Sequence, residues 1–580
     1  MSCPGSRQVV GSRKSSSRIL TIHEPMKRLL LLGLVLFLAC KVSPIGLAEE
    51  TSFAEKASDK LREVTTGETS GMAVLVARDG KIVFQEGFGF ADLAGKTQVT
   101  PETKFRIGSI SKQFTAAAMV RLAEEKKLSL DDSLSRYFPD FPNGEEIKLH
   151  QLLTHTSGIH SYTGKPDFLS RVKEPIEPAK LIEWFRNDKP DFAPGQGYLY
   201  NNSAYFLAGE IVAKVSGKPL GTYLRETFFE PLEMKDTGVF VNSSPPPGMA
   251  LGYSLVNDKL EPALDWDMSW AGGAGALYST VGDLFRWNEA LFGGKVLNEA
   301  SFKAATTPVV LPPKVDGASY GYGLMIMKVQ RLPAIAHGGG LNGWSTYLLR
   351  LPEQRCTVVV LSNALPGPPK HSPGGIAHVL AEKLLADEIA KLPPIEEDKS
   401  IDPKTFTDYV GRFDYKSGIM TVTAEGDALF ARITDQPKNR IFPKADAKNT
   451  FFWKGVDAEV EFLRNEKGEV IAARHTQNGS TFRADKFAKD AVELTEEQVE
   501  PFVGQYRYGL LSVMTVTRDG SQLFAQLTFQ PKYPLFPLSE TEFEWRVVPA
   551  KVKFTKDKDG KVTKGTHTQN GNTFDVPKIK

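Results

Sequence analysis

Cysteine is almost missing from this chain. Its 580 residues hold three, Cys3, Cys40 and Cys356. Only Cys356 stands beyond the first 48 residues, which read as a removable leader. The mature chain then has no internal disulfide, and its stability must come from buried core. Cys356 lies in the strand-like run 355-RCTVVVLSN-363 and reads as a small core residue rather than a nucleophile. Charge excess is missing too: 71 basic residues face 69 acidic ones. That balance gives no reason to expect a nucleic-acid partner or strong binding to a membrane surface. Metal-ligand clusters are also lacking. His155 and His160 in 154-THTSGIH-160 are five apart across a Ser-Gly turn, the wrong spacing for two ligands on one helix face, and no cysteine or carboxylate group accompanies them. The stretch 556-KDKDGKV-562 lacks the ligand series of a calcium loop. No metal and no cofactor are expected.

A long apolar run is lacking as well. In 26-MKRLLLLGLVLFLACKVSPIGLAEE-50 the apolar core, Leu29 to Ala39, falls short of the roughly 20 residues of a spanning helix. Lys27 and Arg28 precede it, and Gly46 and Ala48 follow at the −3 and −1 positions of a cut. This is the grammar of a signal peptide over 1–48, with Met26 as an alternative start. The mature chain is expected to be exported, periplasmic or secreted in a bacterium, without a membrane span. An uncleaved N-terminal tether is the alternative.

What is present is enough for several domains. The length suggests three or four, and 41% hydrophobic with 24% charged residues is a globular composition. Two β-rich runs flank Asp79-Gly80 in 71-GMAVLVARDGKIVFQEGFG-89, a hairpin signal. Helical material follows to about residue 300. A second hairpin-like block is 344-WSTYLLRLPEQRCTVVVLSN-363, and 376-IAHVLAEKLLADEIAKL-392 has helical periodicity. One antiparallel sheet built from both ends, with an inserted helical lobe, is the expected core. A Pro- and charge-rich linker follows, 392-LPPIEEDKSIDP-403. Beyond it the chain repeats itself: 409-YVGRFDY-415, 421-TVTAEGDALFARI-433 and 475-HTQNGSTF-482 recur as 502-FVGQYRY-508, 515-TVTRDGSQLFAQL-527 and 567-HTQNGNTF-574, at offsets of 92 to 94 residues. That is a duplicated all-β unit, read as two small antiparallel barrels. His475 and His567 read as hairpin residues beside Asn-Gly turns.

One short stretch carries chemistry. In 107-IGSISKQFTAAAMVRLAEEKK-127 the run Phe114–Val120 is apolar all round, so its helix should be buried. Ser109 stands at the head of that helix. Lys112 is one turn on and on the same face, where an amine can take the proton of a serine hydroxyl or ease formation of its alkoxide. The spacing alone is weak evidence. Ser170 and Lys173 in 169-LSRVKEPIEP-178 repeat it among charges and prolines, and a helix-capping serine is the plain alternative. Two further elements lie downstream: Tyr200-x-Asn202 after a Pro-Gly loop, and 337-HGGGLNGWSTYLL-349, in which a His-Gly-Gly run precedes a strand.

Together these three elements resemble the serine β-lactamase and penicillin-binding-protein superfamily, in particular its class C branch, where Tyr-x-Asn is the second motif. The stretches 149-LHQLLTHTSGI-159, 271-AGGAGALYSTVGDLFRW-287 and 320-YGYGL-324 fit as well, and the resemblance covers about 55–395. It implies an α/β (α+β) catalytic domain over 55–395, a linker at 396–403, and β-barrel repeats at 404–490 and 496–580 that resemble lipocalin-like modules. It implies roles too. Ser109 would form an acyl-enzyme. Lys112 and Tyr200 would share the general-base work, with Tyr200 as a phenolate or in a relay. Asn202 would hold the substrate, and the backbone N–H groups of Ser109 and Gly340 would form the oxyanion hole, with Gly339 and His337 lining the site.

One departure bears on substrate. His337 stands where β-lactamases of this class carry a lysine, so the fixed cation for a substrate carboxylate is lost. The same His-x-Gly variant is found in the D-aminopeptidase and esterase branch. D-amino-acid peptides, amides or esters, with small cell-wall-derived compounds among them, are therefore the first expected substrates. A β-lactamase or D,D-carboxypeptidase comes second, and a silent binding protein keeping the fold comes third. Trp184, Trp266, Trp270 and Trp344 are candidates to line a cleft or fill the core. The sequence does not fix the oligomeric state.

Overall fold

The structure is a computed structural model. It describes residues 44–580 except 68, 166, 257–258, 313–318, 369–370, 416–417, 435, 478–479, 489–491, 493, 509–512, 528–531, 549, 570–571 and 580. The charged and apolar parts of the expected leader, Cys3, Cys40 and the repeated Asn478-Gly479 and Asn570-Gly571 turns lie outside the described residues. Among the described residues, no helix is long and apolar enough to cross a membrane.

In chain order the catalytic region contains α1 (Pro44–Val64), β1 (Met72–Arg78), β2 (Lys81–Phe88), α2 (Ser111–Glu124), α3 (Asn202–Ser216), α4 (Val281–Phe292), β3 (Met325–Val329), β4 (Leu332–Leu341), β5 (Trp344–Leu351), β6 (Cys356–Ser362) and α5 (Pro373–Leu384). The strands form one antiparallel sheet in the order β3-β4-β5-β6-β1-β2. The two ends of the chain meet where β1 pairs with β6, from Met72 opposite Ser362 to Arg78 opposite Cys356. Both strands are rich in β-branched and small apolar residues and are buried on both faces. Ala73, Leu75, Ala77, Val359 and Leu361 face the helical lobe. Met72, Val74, Val76, Val358 and Val360 face the opposite layer, with Ala57 and Leu61 of α1 and Ala377, Leu380 and Ala381 of α5. Alternation of side chains along a strand makes this double burial possible. Cys356 is fully buried in the second layer, and desolvation pushes its thiol up to about 12.

Asp79 and Gly80 turn the β1–β2 hairpin with φ of 52° and 74°, the left-handed pair that a tight hairpin requires. The β3–β4 turn does the same with Gln330 and Arg331, at φ 47° and 70°, although neither is a glycine or an asparagine. Its strain is met by an outside partner: the Arg331 N–H donates to Asp457 of the first barrel at 2.7 Å.

The His-Gly-Gly run does not precede a strand. It lies inside β4, which continues through it to Leu341, because the ladder to β5 needs only backbone. Glycine is required there for another reason. A Cβ on Gly339 would lie 1.9 Å from the Ile107 carbonyl and 2.2 Å from Thr346 Oγ1. Thr346 in turn donates to that carbonyl at 2.9 Å, so the segment carrying Ser109 is pinned directly onto β4 and β5.

The duplicated region is all β. Eight strands from Gly411–Asp414 to Ser480–Lys486 form a closed barrel. Eight more, from Gly504–Arg507 to Asn572–Pro577, form the same meander, whose ends meet through the isolated pairing of Tyr506 with Lys578. Their interiors hold their own side chains, Phe413, Phe451 and Phe462 in the first and Phe502, Phe543 and Phe554 in the second. Arg432–Asp519 and Arg546–Asp414 ion pairs, each 2.6 Å, join the two.

The close approach at Gly339 gives the first expected outcome. Gly339→Ala should lower the melting temperature, by about 1–3 kcal/mol of overpacking, and should impair Ser109 reactivity together with it. Gly340→Ala meets only the flexible end of Leu365 at 3.3 Å and should leave the melting temperature nearly unchanged. Equal thermal shifts in the two variants would contradict this packing.

Candidate active site

Ser109 sits in a single 3₁₀ turn, Gly108–Ile110, that runs straight into α2. It caps nothing: the N-cap positions of both helical segments make no side-chain capping bond. Gly108 enters the turn at φ 51°, a left-handed conformation natural only to glycine. A Cβ at Gly108 would also come within 2.9 Å of Gly340 N, so strand β4 and the serine turn touch backbone to backbone.

Lys112 is 0% exposed and no carboxylate pairs with it among the described residues. Its Nζ lies 3.1 Å from Ser109 Oγ, 2.9 Å from Asn202 Oδ1 and 2.8 Å from the Ala274 carbonyl. Burial holds its pKa well below 10.5. Two of these three oxygens can only accept, so a neutral amine spends its two N–H groups on Asn202 and Ala274. Its lone pair is then left facing the Ser109 hydroxyl. If the amine becomes an ammonium, all three N–H groups have acceptors. The arrangement can therefore take up one proton from Ser109 and remain satisfied.

Asn202 opens α3, behind Asn201, whose side chain caps the helix by accepting the Ala204 N–H at 2.8 Å. The Asn202 carbonyl oxygen faces Lys112, and its amide donates to Thr163 Oγ1 at 3.1 Å. Both ends of this side chain are thus engaged within the protein. Tyr200 is 37% exposed as a residue, but its oxygen turns inward, where hydrogen bonding to Ser109 opposes the upward pKa shift caused by desolvation. The net shift is upward, so the phenol is neutral at neutral pH. Lys112 Nζ lies 4.8 Å from the centre of its ring.

His337 is buried, and burial together with nearby Lys112 pushes its pKa down to about 3. Nδ1 contacts the Gly338 carbonyl at 2.6 Å, so it carries the proton. Nε2 then accepts from the Tyr320 hydroxyl at 2.7 Å. Gly340, by contrast, is exposed. Leu341 and Trp344 close the β4–β5 hairpin, and ladder alternation turns the N–H of Gly340 away from β5 toward the free edge beside Gly108. β3 ends its pairing at Ala336 and leaves this edge open.

Ser109, Lys112, Tyr200 and Asn202 thus meet in one site, with His337, Gly339 and Gly340 along its strand edge. Ser170 is elsewhere and merely donates to the Asp167 carbonyl at 2.7 Å. The tryptophans do not line the cleft. Trp270 and Trp344 are buried, and Trp184 and Trp266 pack against the same core. Sequence reasoning missed Ala274, whose contribution is a carbonyl, and the two buried rings His155 and Tyr320. Each lies inside a stretch the sequence marks, but only packing reveals what it touches. Among the described residues, no three His, Cys, Asp or Glu side chains are grouped as metal ligands would be.

Comparison with known proteins agrees with this geometry. The beta-lactamase family model matches residues 57–383, more than half the chain, and a domain family of unknown function, DUF3471, matches twice, over 396–485 and 488–575. A penicillin-binding protein of Bacillus subtilis (strain 168) is 28% identical over 417 residues, covering 68% of this chain and 90% of that protein. Other curated relatives are matched over less than two thirds of their length, 64% and 61% in two cases. Among solved structures, the octameric penicillin-binding protein homologue from Pyrococcus abyssi matches with a TM-score of 0.51 at 23% identity, over 85% of this chain and all of that one. The D-amino acid amidase from Ochrobactrum anthropi SV3 matches with a TM-score of 0.50 at 24% identity, over 59% of this chain and 99% of that one. These two likenesses establish the fold. The chain belongs to the beta-lactamase family. It is a serine hydrolase of the β-lactamase and penicillin-binding-protein fold, followed by two all-β, barrel-like domains.

The buried amine has a direct signature. Between its lowered pKa and 10.5 the folded state binds fewer protons at Lys112 than the unfolded chain, so this group makes stability rise with pH across that window. In carbon-13 NMR of lysine-labelled protein, one Cε resonance should titrate well below 10.5 and vanish in Lys112→Met. If every lysine titrates near 10.5, the buried neutral amine is refuted.

Proposed function

We propose that this chain hydrolyses D-amino-acid amides, peptides or esters through an acyl-enzyme on Ser109. The observation that carries the reading is the burial of Lys112, with no carboxylate beside it among the described residues and its Nζ 3.1 Å from Ser109 Oγ. In the proposed reaction, the serine oxygen attacks the acyl carbon as its proton passes to Lys112. The resulting ammonium is held by Asn202 Oδ1 and the Ala274 carbonyl. The Ser109 and Gly340 N–H groups receive the oxyanion. The neutral Tyr200 phenol hands a proton to the departing amine or alkoxide as the bond to it breaks, and is reprotonated from Lys112. Its upward shift supports the relay role over the phenolate. Water then attacks the acyl carbon and gives a proton to the same pair, which returns it to Ser109 Oγ as the ester bond breaks and the acid leaves.

Substrate class rests on His337. A neutral, buried imidazole offers no fixed cation to a carboxylate, which favours substrates lacking one at that position. The β-lactamase or D,D-carboxypeptidase reading is favoured by the Bacillus subtilis relative, which is named a penicillin-binding protein. Export belongs to the same proposal and rests on residues 26–50, as does a substrate of cell-wall origin.

A substrate panel tests the proposal. D-alanine p-nitroanilide and p-nitrophenyl acetate should each be turned over with a kcat/KM at least about 100-fold above that for nitrocefin. Ser109→Ala should lose at least about 1,000-fold in kcat. Faster turnover of nitrocefin would favour the β-lactam reading. No turnover and no Ser109 label with a fluorophosphonate would leave a binding protein instead.

A further inference from the structure

We propose that His155 is the positioning residue for Tyr200, gripping the backbone on both sides of that tyrosine and so fixing where its hydroxyl meets Ser109. The inference rests on the reading in which Tyr200 acts at Ser109. The His155 carbonyl accepts the Leu199 N–H at 3.1 Å, and His155 Nδ1 accepts the Asn201 N–H at 3.1 Å. These are the residues immediately before and after Tyr200. The His155 ring also packs on the Tyr200 ring, with centroids 4.3 Å apart.

The histidine is itself held hard. It is 1% exposed, sits at φ 60°, and is enclosed by the rings of Tyr205 and Tyr320 at 5.2 and 4.6 Å. A left-handed histidine is uncommon and strained, and strain of this kind gathers at functional sites. Because Nδ1 accepts, the ring proton lies on Nε2, which finds no hydrogen-bond acceptor among the described residues. A buried donor without a partner is a cost that a residue with a packing role alone would not need to carry. Desolvation, Lys112 and His337 keep the ring neutral, so the accepting lone pair is always available.

The grip is specific to Tyr200. Asn202, the next catalytic-site residue, has anchors of its own: its N–H donates to Ser161 Oγ at 3.2 Å and its amide to Thr163. Asn201 is held separately by its contact with the Ile159 carbonyl. Loss of the imidazole removes the Asn201 anchor and the ring contact while the carbonyl of residue 155 still holds Leu199, and should loosen the tyrosine without releasing Lys112 from Asn202.

The test is a double-mutant cycle on the full chain, read as kcat for D-alanine p-nitroanilide and for D-alanine ethyl ester, whose amine and alkoxide leaving groups need the proton that Tyr200 supplies. His155→Leu should slow both by about 100-fold, the scale of a misplacement near 1 Å. His155→Asn should recover to within about fivefold, because its Oδ1 falls where Nδ1 stands and asparagine tolerates positive φ. In a Tyr200→Phe background, His155→Leu should cost less than about threefold further, since residues acting through one another are not additive. An equal cost in both backgrounds, or no rescue by asparagine, overturns the inference. If Tyr200→Phe alone is unimpaired, the role of Tyr200 fails and the inference falls with it, a result distinct from an impaired Tyr200→Phe with no coupling. Should His155→Leu not fold, His155→Gln takes its place, because its amide reaches the Nε2 position and leaves Asn201 without an acceptor.

Discussion

A lysine amine buried without a counter-charge is the constraint on which the catalytic domain depends. Sealing an ammonium from water costs several kcal/mol even after relaxation, so the Lys112 site favours the neutral amine and must still satisfy it. The answer is three oxygens from three distant parts of the chain: Ser109, Asn202 and the Ala274 carbonyl. To bring them to one point, α2 and α3 must pack closely against the loop carrying Ala274. The residues at that junction are small for this reason. A Cβ on Gly273 would strike the Tyr205 carbonyl at 2.6 Å and Gly209 Cα at 3.0 Å, and Ala116, Ala117 and Ala118 make up the middle of α2. Stability is given up at the amine and regained around it, where Phe114 stacks on Trp287 and Phe228 meets it edge-on, each worth about 1.5–3 kcal/mol of burial.

The sheet serves the same end from the other side. Its β1–β6 pairing ties the two ends of the catalytic region together, and β5 and β4 extend that sheet to the serine turn. The free edge of β4 at Gly340 then brings a strand's backbone N–H beside the serine turn, where both face an incoming carbonyl. The opposite end of β4 is the strained Gln330-Arg331 turn, held by Asp457 of the first barrel. The duplicated region therefore touches the same strand that lines the site, at its far end.

Much of this was legible in the sequence because it is carried by local chemistry. Asp79-Gly80 marks a hairpin since few residue pairs adopt two left-handed conformations. The 92–94-residue repeat exposes the duplicated barrels, and Ser-x-x-K at the head of an all-apolar helix marks the nucleophile turn. Other features left no such trace. The Gln330-Arg331 turn has none of the residues its conformation favours, since a tertiary contact compensates. Ala274 acts through a carbonyl, which every residue has. His155 invited a metal reading because its side chain is conspicuous, whereas its contacts are to backbone N–H groups of residues about 45 positions away. The tryptophans left cleft and core both open, and the core reading holds: Phe168, Trp184, Trp266 and Trp270 pack on one another inside the lobe. Asn202 read as a substrate ligand; that its carbonyl also accepts from Lys112 is visible only in the packing.

His337 shows how a single replacement redistributes charge in such a site. For the imidazole to become a cation, Nε2 would have to gain a proton where it now accepts the Tyr320 hydroxyl, inside a pocket already near Lys112. Desolvation and that neighbour both oppose the change. In the proposed reaction the only cation at the site is then Lys112 itself, formed when it takes the serine proton and lost when the proton moves on. Charge is present while the acyl group transfers and absent while the substrate is being selected. Recognition under those conditions falls to shape and to neutral hydrogen bonds along the β4 edge, which is the kind of selection an amide or ester satisfies and a free carboxylate does not.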